Sequence, residues 1–385
     1  MIKKILFLFI ATGLMITSLQ AQKQKISLKD TLDKKFDMSD YIINMHGFVP
    51  WPTIITEPAL GNFGVALAAV FISPQKKGKS EDRYRFPDVT AIAGMYTLNN
   101  TWGFGALRQG TLPSIGMRYT IGAGYADANM DFYRQTSRGN QLKEQFNLQP
   151  IVALLDVSEN LFKNKIFAGL RYQFTRMIVK YEFKKPSDTI FRRDFDTIFN
   201  PPDFNKNLGN FGVYLELDYR NSMFTPDKGL RFKTTYTFGR QWTASDFDFD
   251  QVVVNANMFI QPWKPWVCGF RAVGQAIFNE VPFYYYPYLD MRGIPMARYQ
   301  GQQTLLFETE QRVDVTPRWS VVGFIGTGRT WSDSKFMSDD SWHWAGGAGF
   351  RYLLARLFKL RMGFDIAASK GQFAYYFVFG HYWNR

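Results

Sequence analysis

The segment FGVYLELDYR, residues 211–220, alternates apolar and polar side chains one by one. Val213, Leu215 and Leu217 fall on one face of an extended chain, whereas Glu216 and Asp218 fall on the other. Successive side chains of a strand point to opposite faces, so a period of two predicts a β-strand with one apolar and one polar face. One such strand fits a soluble sheet as well as a membrane barrel.

The same alternation recurs along the chain. LLFETEQR, residues 305–312, sets Phe307 against Glu308 and Glu310, and KLRMGFDIA, residues 359–367, sets Phe364 against Arg361 and Asp365. Runs of about ten alternating residues joined by turns or charged loops are the signature of an outer-membrane β-barrel. The sequence therefore predicts an all-β fold, a transmembrane antiparallel β-barrel.

The number of strands follows from counting these runs. Fifteen can be read, from residues 63–74 to residues 373–383. Bacterial single-chain barrels have an even number of strands, so we expect sixteen, with the run at 117–135 split near Asp127. Residues 48–58 contain three prolines and are read as an extended lead-in to the first strand. The long connections at 184–208 and 281–303 are expected to be extracellular.

The beginning of the chain resembles an export signal. Lys3 and Lys4 precede an apolar run at 5–16, and Ala21 offers a small residue for cleavage. The longest later apolar segment, VALAAVFI at 65–72, has the length of a strand and is too short for a membrane helix. The expected organisation is a signal peptide at 1–21, a short periplasmic segment at 22–60 and an outer-membrane barrel at 61–385.

Composition supports a membrane barrel. Aromatic residues make up 17% of the chain, which suits belts at two membrane interfaces, and the mean hydropathy of −0.22 suits strands with only one apolar face. The net charge of +13 is read as lumenal and loop arginines, because no nucleic-acid motif accompanies it. Nucleic acid is therefore not an expected partner. The only cysteine is Cys268, so no intramolecular disulfide is expected.

Five stretches go beyond the alternation: GFVPWPTIITEPALGNFG (47–64), LDYRNSMFTPDKGLRF (217–232), LDMRGIPMARYQGQQTLLFETEQR (289–312), GFIGTGRTW (323–331) and FAYYFVFGHYW (373–383). Together they resemble the BamA/TamA family of outer-membrane assembly barrels, also called the bacterial surface-antigen family. The resemblance implies that Arg292 and Gly293 belong to the sixth extracellular loop and that Glu310 receives the arginine inside the lumen. The alternative is that Arg292 lies in a solvated turn.

The chain departs from the family pattern at three places. Ile294 replaces an aromatic residue after Gly293, and Gly326 stands where a lumenal aspartate is usual, which leaves the usual partner of the arginine in doubt. Only about 40 residues separate Ala21 from the first expected strand, too few for the family's periplasmic polypeptide-transport-associated (POTRA) repeats. We therefore expect a version that lacks them.

No pattern indicates catalysis. His46, His343 and His381 lack the spacing of metal ligands, Ser341 and His343 have no evident third partner, and no nucleophile elbow or phosphate loop is present. Charged residues on the polar strand faces are read as a network that fills the barrel: Glu308, Glu310, Arg312, Arg351, Arg361 and Asp365. We expect no enzymatic activity, no metal and no cofactor.

The resemblance implies a function in inserting or translocating proteins or lipids at the outer membrane. The expected partners are membrane lipids and client proteins, and the oligomeric state is left open. An insertase needs a weak seam between its first and last strands, and Gly64, Gly371, Gly380 and Trp383 are the candidate seam residues. The glycines could equally relieve crowding where the barrel curves. The alternative function is a passive channel or a structural subunit.

Overall fold

The computed structural model describes residues 27–43, 47–73, 88–112, 117–135, 141–162, 165–181, 195, 199–333 and 341–383. The signal at 1–21 and His46 lie outside these residues. Within them, one antiparallel sheet of sixteen strands runs in chain order, each strand paired with the next. The sheet forms a barrel, which confirms the predicted fold class. No helix in the described residues is long and apolar enough to cross a membrane.

The elements, in chain order, are α1 (Ser39–Ile43), β1 (Gly47–Ile55), β2 (Gly64–Ser73), β3 (Asp88–Thr97), β4 (Trp102–Thr111), β5 (Arg118–Gln135), β6 (Gln141–Phe162), β7 (Ile166–Lys180), β8 (Asn205–Asp218), β9 (Gly229–Gly239), β10 (Phe249–Trp263), β11 (Trp266–Phe278), β12 (Gln303–Asp314), β13 (Trp319–Trp331), β14 (His343–Ala355), β15 (Leu360–Ser369) and β16 (Gln372–Phe379). The two longest connections, β7–β8 and β11–β12, lie at the same end of the barrel.

The predicted count of sixteen is confirmed, but the missing strand is not where the sequence placed it. The run at 117–135 stays one strand, β5. The extra strand is β1, which the prolines had made look like a lead-in segment. The first strand is therefore β1 rather than 63–74, and the barrel begins at Gly47 rather than at residue 61. Proline is tolerated in an edge strand, where its missing N–H faces away from the neighbour.

Side chains sort by the predicted alternation. In β12, Phe307 is 46% exposed on the outer wall, whereas Glu308 and Glu310 are 6% and 4% exposed on the inner face. The outer face of β8 likewise presents Val213 and Leu215. An apolar outer wall with a polar lumen is the arrangement that a bilayer requires of a closed sheet, because lipid offers no partners to backbone or charged groups.

Strand direction fixes the two ends of the barrel. Residues 27–43 and the end of β16 lie at the same end, and the β7–β8 and β11–β12 connections lie at the opposite end. Much of the predicted connection at 184–208 falls outside the described residues. With the termini in the periplasm, the β11–β12 connection is extracellular by topology, although its chain then folds back into the lumen.

Three aspartates hold the N-terminal segment against the turns at the same end of the barrel. Arg318, before β13, donates from Nη1 to Asp37 Oδ2 at 2.6 Å and from Nε to Asp33 Oδ2 at 2.6 Å. Arg356, after β14, donates from Nη2 to Asp30 Oδ1 at 3.1 Å. The hydrogen bond from Arg356 lowers the pKa of Asp30, and the one from Arg318 lowers the pKa of Asp33. The segment is thus attached to the barrel by charge-assisted hydrogen bonds.

Candidate functional site

The β11–β12 loop, residues 279–302, folds into the lumen. Met291, Arg292 and Ile294 are 2%, 1% and 3% exposed. Gly293 has φ +91°, and a Cβ there would lie 3.2 Å from the carbonyl carbon of Ala368 on β15. A side chain at this position would meet both a left-handed backbone and the barrel wall. The glycine therefore lets the loop lie flat against β15.

Arg292 is the centre of the loop's contacts. Its Nη1 lies 2.7 Å from Glu310 Oε2 on β12 and donates a 2.8 Å hydrogen bond to Asp365 Oδ2 on β15. Its guanidinium carbon stands 3.5 Å from the centre of the Phe324 ring and 4.7 Å from that of Tyr382. One nitrogen therefore serves two acids, while the face of the guanidinium packs on aromatic rings.

The two acids also have other partners. Arg351 on β14 grips both oxygens of Asp365, with Nη2 2.9 Å from Oδ2. His381 Nε2 lies 3.2 Å from Glu310 Oε1. All five side chains are less than 10% exposed. The carboxylates of Glu310 and Asp365 lie between the guanidinium groups of Arg292 and Arg351, so opposite charges compensate one another between loop and wall.

The structure brings together the three residues predicted as a loop–lumen lock, Arg292, Gly293 and Glu310. Arg292 forms an ion pair with Glu310 through one nitrogen only, and the same nitrogen donates its hydrogen bond to Asp365. Asp365 supplies the acid that was missing at Gly326. A Cβ at Gly326 would lie 2.7 Å from Glu308 Cγ, so the wall leaves no room there. That the cluster works as a lock stays a prediction.

Sequence reasoning placed Asp365 and Arg351 in the lumen by alternation but did not connect them to Arg292. It also read residues 380–383 as the end of the last strand and did not place them in the lumen. The chain turns at Gly380, with φ +75°, and His381, Tyr382 and Trp383 are 6%, 7% and 3% exposed inside the barrel. Trp383 packs against Phe259 on β10, with ring centres 6.0 Å apart. The family motif was the only signal for Arg292 that the sequence offered.

The predicted seam residues lie away from the meeting of the first and last strands. Gly64 begins β2, Gly371 lies in the β15–β16 turn, Gly380 follows β16 and Trp383 is in the lumen. The prediction had taken 63–74 as the first strand and extended the last one to residue 383. The seam is instead the junction of β1 and β16. Whether these four residues affect its opening stays a prediction.

The β1–β16 junction is the one place where the order of paired strands ends among the described residues. β1 pairs with β2 without interruption from Gly47 to Ile55. In an antiparallel ladder alternate residues bond to alternate sides, so Pro50 and Pro52 must point their nitrogens away from β2, toward β16. Two donors are therefore missing from the seam edge of β1. Trp51 and Phe379 contact across it, with ring centres 5.7 Å apart.

The β11–β12 loop touches both sides of this seam. On the β1 side, the N–H of Met296 donates to Glu57 Oε1 at 3.0 Å. On the other side, the N–H of Gly293 donates to the Tyr376 hydroxyl at 2.9 Å, and Ser369 Oγ donates to the Gly293 carbonyl at 2.7 Å. The loop thus forms a strap across the inside of the seam, defined here as residues 291–298.

The two histidines that the structure describes, His343 and His381, do not form a common site. His343 opens β14 and stacks on Tyr299, with ring centres 3.5 Å apart, and His381 belongs to the lumenal cluster. Ser341 precedes β14, so it does not share a strand face with His343. Across the residues that the structure describes, no group of three or more His, Cys, Asp and Glu side chains is placed to hold a metal ion.

Comparison of the fold finds similar barrels. BamA from Haemophilus ducreyi lacking POTRA domains 1–3 superimposes with a TM-score of 0.57 and 11% sequence identity over 86% of this chain and 69% of that one. The chain shares its barrel fold with BamA. CdiB from Escherichia coli is similar as well, with a TM-score of 0.59 and 12% identity over 86% of this chain and 62% of that one. No family model and no curated protein matches the sequence.

Proposed function

We propose that this chain is an outer-membrane barrel that assists the insertion or translocation of polypeptides or lipids, using the β1–β16 seam as its working edge. The observation that carries the proposal is the pair of prolines in β1, which removes two donors from the seam while leaving the β2 ladder complete. An unsatisfied strand edge can pair with an incoming strand. Its partners would be membrane lipids and client proteins.

The strap supports this function because it connects the seam to the lumenal lock. Its contacts with Glu57 and with Tyr376 lie on opposite sides of the junction. While Arg292 stays bound to Asp365, the strap limits how far β1 and β16 separate. Release of the lock would free both sides, so the lock and the seam would open together.

The strands beside the seam are short. β1 to β4 contain nine or ten residues and β16 eight, whereas β5 and β6 contain 18 and 22. About 9–11 residues are needed to cross the hydrocarbon core. β1 to β4 just reach this length and β16 falls below it, and a short apolar wall thins the adjoining bilayer. Thinning beside the seam would lower the barrier that an entering polypeptide meets.

A passive channel is the alternative. It is less favoured because the lumen is occupied: Leu289, Met291, Ile294 and Tyr299 of the loop pack with Val273, Leu306 and Ala345 of the wall. Trp383 and its neighbours fill a second region. An open pore would require both groups to leave.

The test locks the seam in a Cys268→Ser background. Trp51→Cys with Phe379→Cys would be bridged by a short bifunctional maleimide, since the native rings touch at this point. Proteoliposomes carrying the locked barrel should fold a urea-denatured eight-stranded outer-membrane protein more slowly than unbridged ones. Leu215→Cys with Thr234→Cys, register partners in β8 and β9, bridges a paired junction and should leave the rate unchanged.

Equal client folding by locked and unlocked barrels would sink the seam proposal. Planar-bilayer recordings of the locked barrel then decide the alternative. A stable open conductance would establish the passive channel. A barrel without conductance would leave a structural subunit as the remaining alternative function.

A further inference from the structure

The outer wall carries a furrow across β4, β5 and β6. The strand register aligns Ala106, Ala123 and Ala153 in one row. The adjacent rows carry larger side chains. Phe104, Tyr125 and Ile151 form the upper ridge, and Arg108, Ile121 and Leu155 form the lower ridge, toward the chain termini. A shallow groove of about 470 Å³ lies over the three alanines and along the lower ridge, where Thr90 and Tyr172 also line it.

The furrow opens toward lipid. On the same face, Phe104, Ile121 and Leu155 are 59%, 52% and 46% exposed. The opposite face of the same strands carries the polar lumen, where Arg171 Nε donates to Asp156 Oδ2 at 2.8 Å. An apolar groove in the lipid-facing wall of a membrane barrel is filled by hydrocarbon chains.

A charged pair stands at the β4 end of the furrow. Arg108 lies on its lower ridge, three residues before β4 ends on the side of the chain termini. Its Nε donates to the Tyr119 hydroxyl at 3.0 Å, its Nη1 donates to Thr90 Oγ1 at 3.1 Å, and its Nη2 lies 3.7 Å from Asp88 Oδ2. The Arg108 side chain remains 52% exposed. A partly exposed guanidinium is thereby fixed at the periplasmic membrane interface.

We propose that this furrow binds one zwitterionic aminophospholipid of the periplasmic leaflet. Arg108 binds the phosphate, Asp88 binds the ammonium group, and one acyl chain lies along Ala106, Ala123 and Ala153. This site is independent of the seam, because it lies on the wall of β3–β6.

The chemistry of the pair selects the headgroup. Arginine forms charge-assisted hydrogen bonds to phosphate oxygens, and a carboxylate beside it repels lipids whose headgroup carries only negative charge. Hydrophobicity gives the acyl chain no preference for the furrow, since bulk lipid is equally apolar. Shape complementarity and dispersion contacts along the alanine row supply that preference.

The test is photolabelling of the folded protein in bilayers that contain phosphatidylethanolamine with a diazirine in one acyl chain. Adducts should concentrate on the outward residues of β4, β5 and β6. Arg108→Gln should reduce these adducts by about tenfold, the effect of losing one charge-assisted hydrogen bond. Arg176→Gln is the matched control, because Arg176 lies on the same outer face, on the row of the upper ridge.

Filling the furrow gives a second, uncharged test. Ala123→Leu should reduce the adducts, whereas Ala348→Leu, at an exposed position of β14, should not. Heat-modifiable migration verifies folding of each variant. Labels spread evenly around the barrel, or equal loss in Arg108→Gln and Arg176→Gln, would overturn the site. Equal labelling by photoreactive phosphatidylglycerol, with no change on Asp88→Asn, would overturn the assignment of an aminophospholipid.

Discussion

Removing the lock arginine is the most direct perturbation of the lumen. Arg292→Ala takes away the hydrogen bond to Asp365, the ion pair with Glu310 and the packing on Phe324 and Tyr382. Breaking a buried ion pair by truncating one partner costs about 3–5 kcal/mol. Asp365 keeps Arg351, and Glu310 keeps His381. Because Arg351 stays within ion-pair distance of both acids, we expect a loss at the lower end, about 3 kcal/mol.

The measurement is urea unfolding of the barrel in lipid bilayers, followed by heat-modifiable migration and protease resistance. Glu310→Ala and Asp365→Asn are each combined with Arg292→Ala. In each double variant, the loss in free energy of unfolding should be at least about 1 kcal/mol smaller than the sum of the losses in the two single variants, because contacting residues couple. The coupling should be larger with Asp365, which accepts the hydrogen bond.

Arg231→Ala provides the matched control. Arg231 pairs with Glu216 at 2.7 Å elsewhere in the lumen. The effects of Arg231→Ala and Glu310→Ala on the free energy of unfolding should add to within about 0.5 kcal/mol. Strict additivity of Arg292→Ala with both Glu310→Ala and Asp365→Asn would refute the lock.

Three further predictions concern the N-terminal segment, the seam and the loop turn. The arginines lower the pKa of Asp30 and Asp33. The ionised aspartates therefore stabilise the attachment of the N-terminal segment above their unfolded pKa of about 4, and this stabilisation is lost as pH falls through their folded pKa values. A nitroxide at Lys34→Cys, in a Cys268→Ser background, should therefore be immobile at neutral pH and gain mobility in strong acid. Arg318→Ala should make it mobile already at neutral pH, and a mobility without pH dependence in the parent would contradict the clamp. Pro50→Thr with Pro52→Thr restores two donors to β1 and should slow client folding and raise amide protection along β16; faster client folding would argue against the seam. Gly293→Ala should lower stability by about 1–3 kcal/mol in urea unfolding, since it forces a side chain into a left-handed turn against Ala368, whereas Gly274→Ala, whose Cβ would meet ordinary contact only, should be milder.

The fold was predictable because it follows from a local pattern, the alternation of apolar and polar residues. Alternation in segments such as 211–220 assigned each side chain to the lipid or the lumen, and this required no knowledge of its neighbours. The sequence did not predict β1 as a strand, because the same local rules count Pro50 and Pro52 against a strand. That rule holds for a strand with two neighbours, and only the assembled sheet shows that β1 has one.

The candidate site was predictable in part. The motif around Arg292 indicated a lumenal loop and named Glu310, whereas the hydrogen-bonding acid proved to be Asp365, 73 residues further along. The sequence by itself determined the alternation, the barrel and the polar lumen. Only the tertiary structure decided the seam and its strap, where Met296 meets Glu57 across 239 residues. Such contacts depend on how strands close in space, because no local periodicity records which distant groups will meet there.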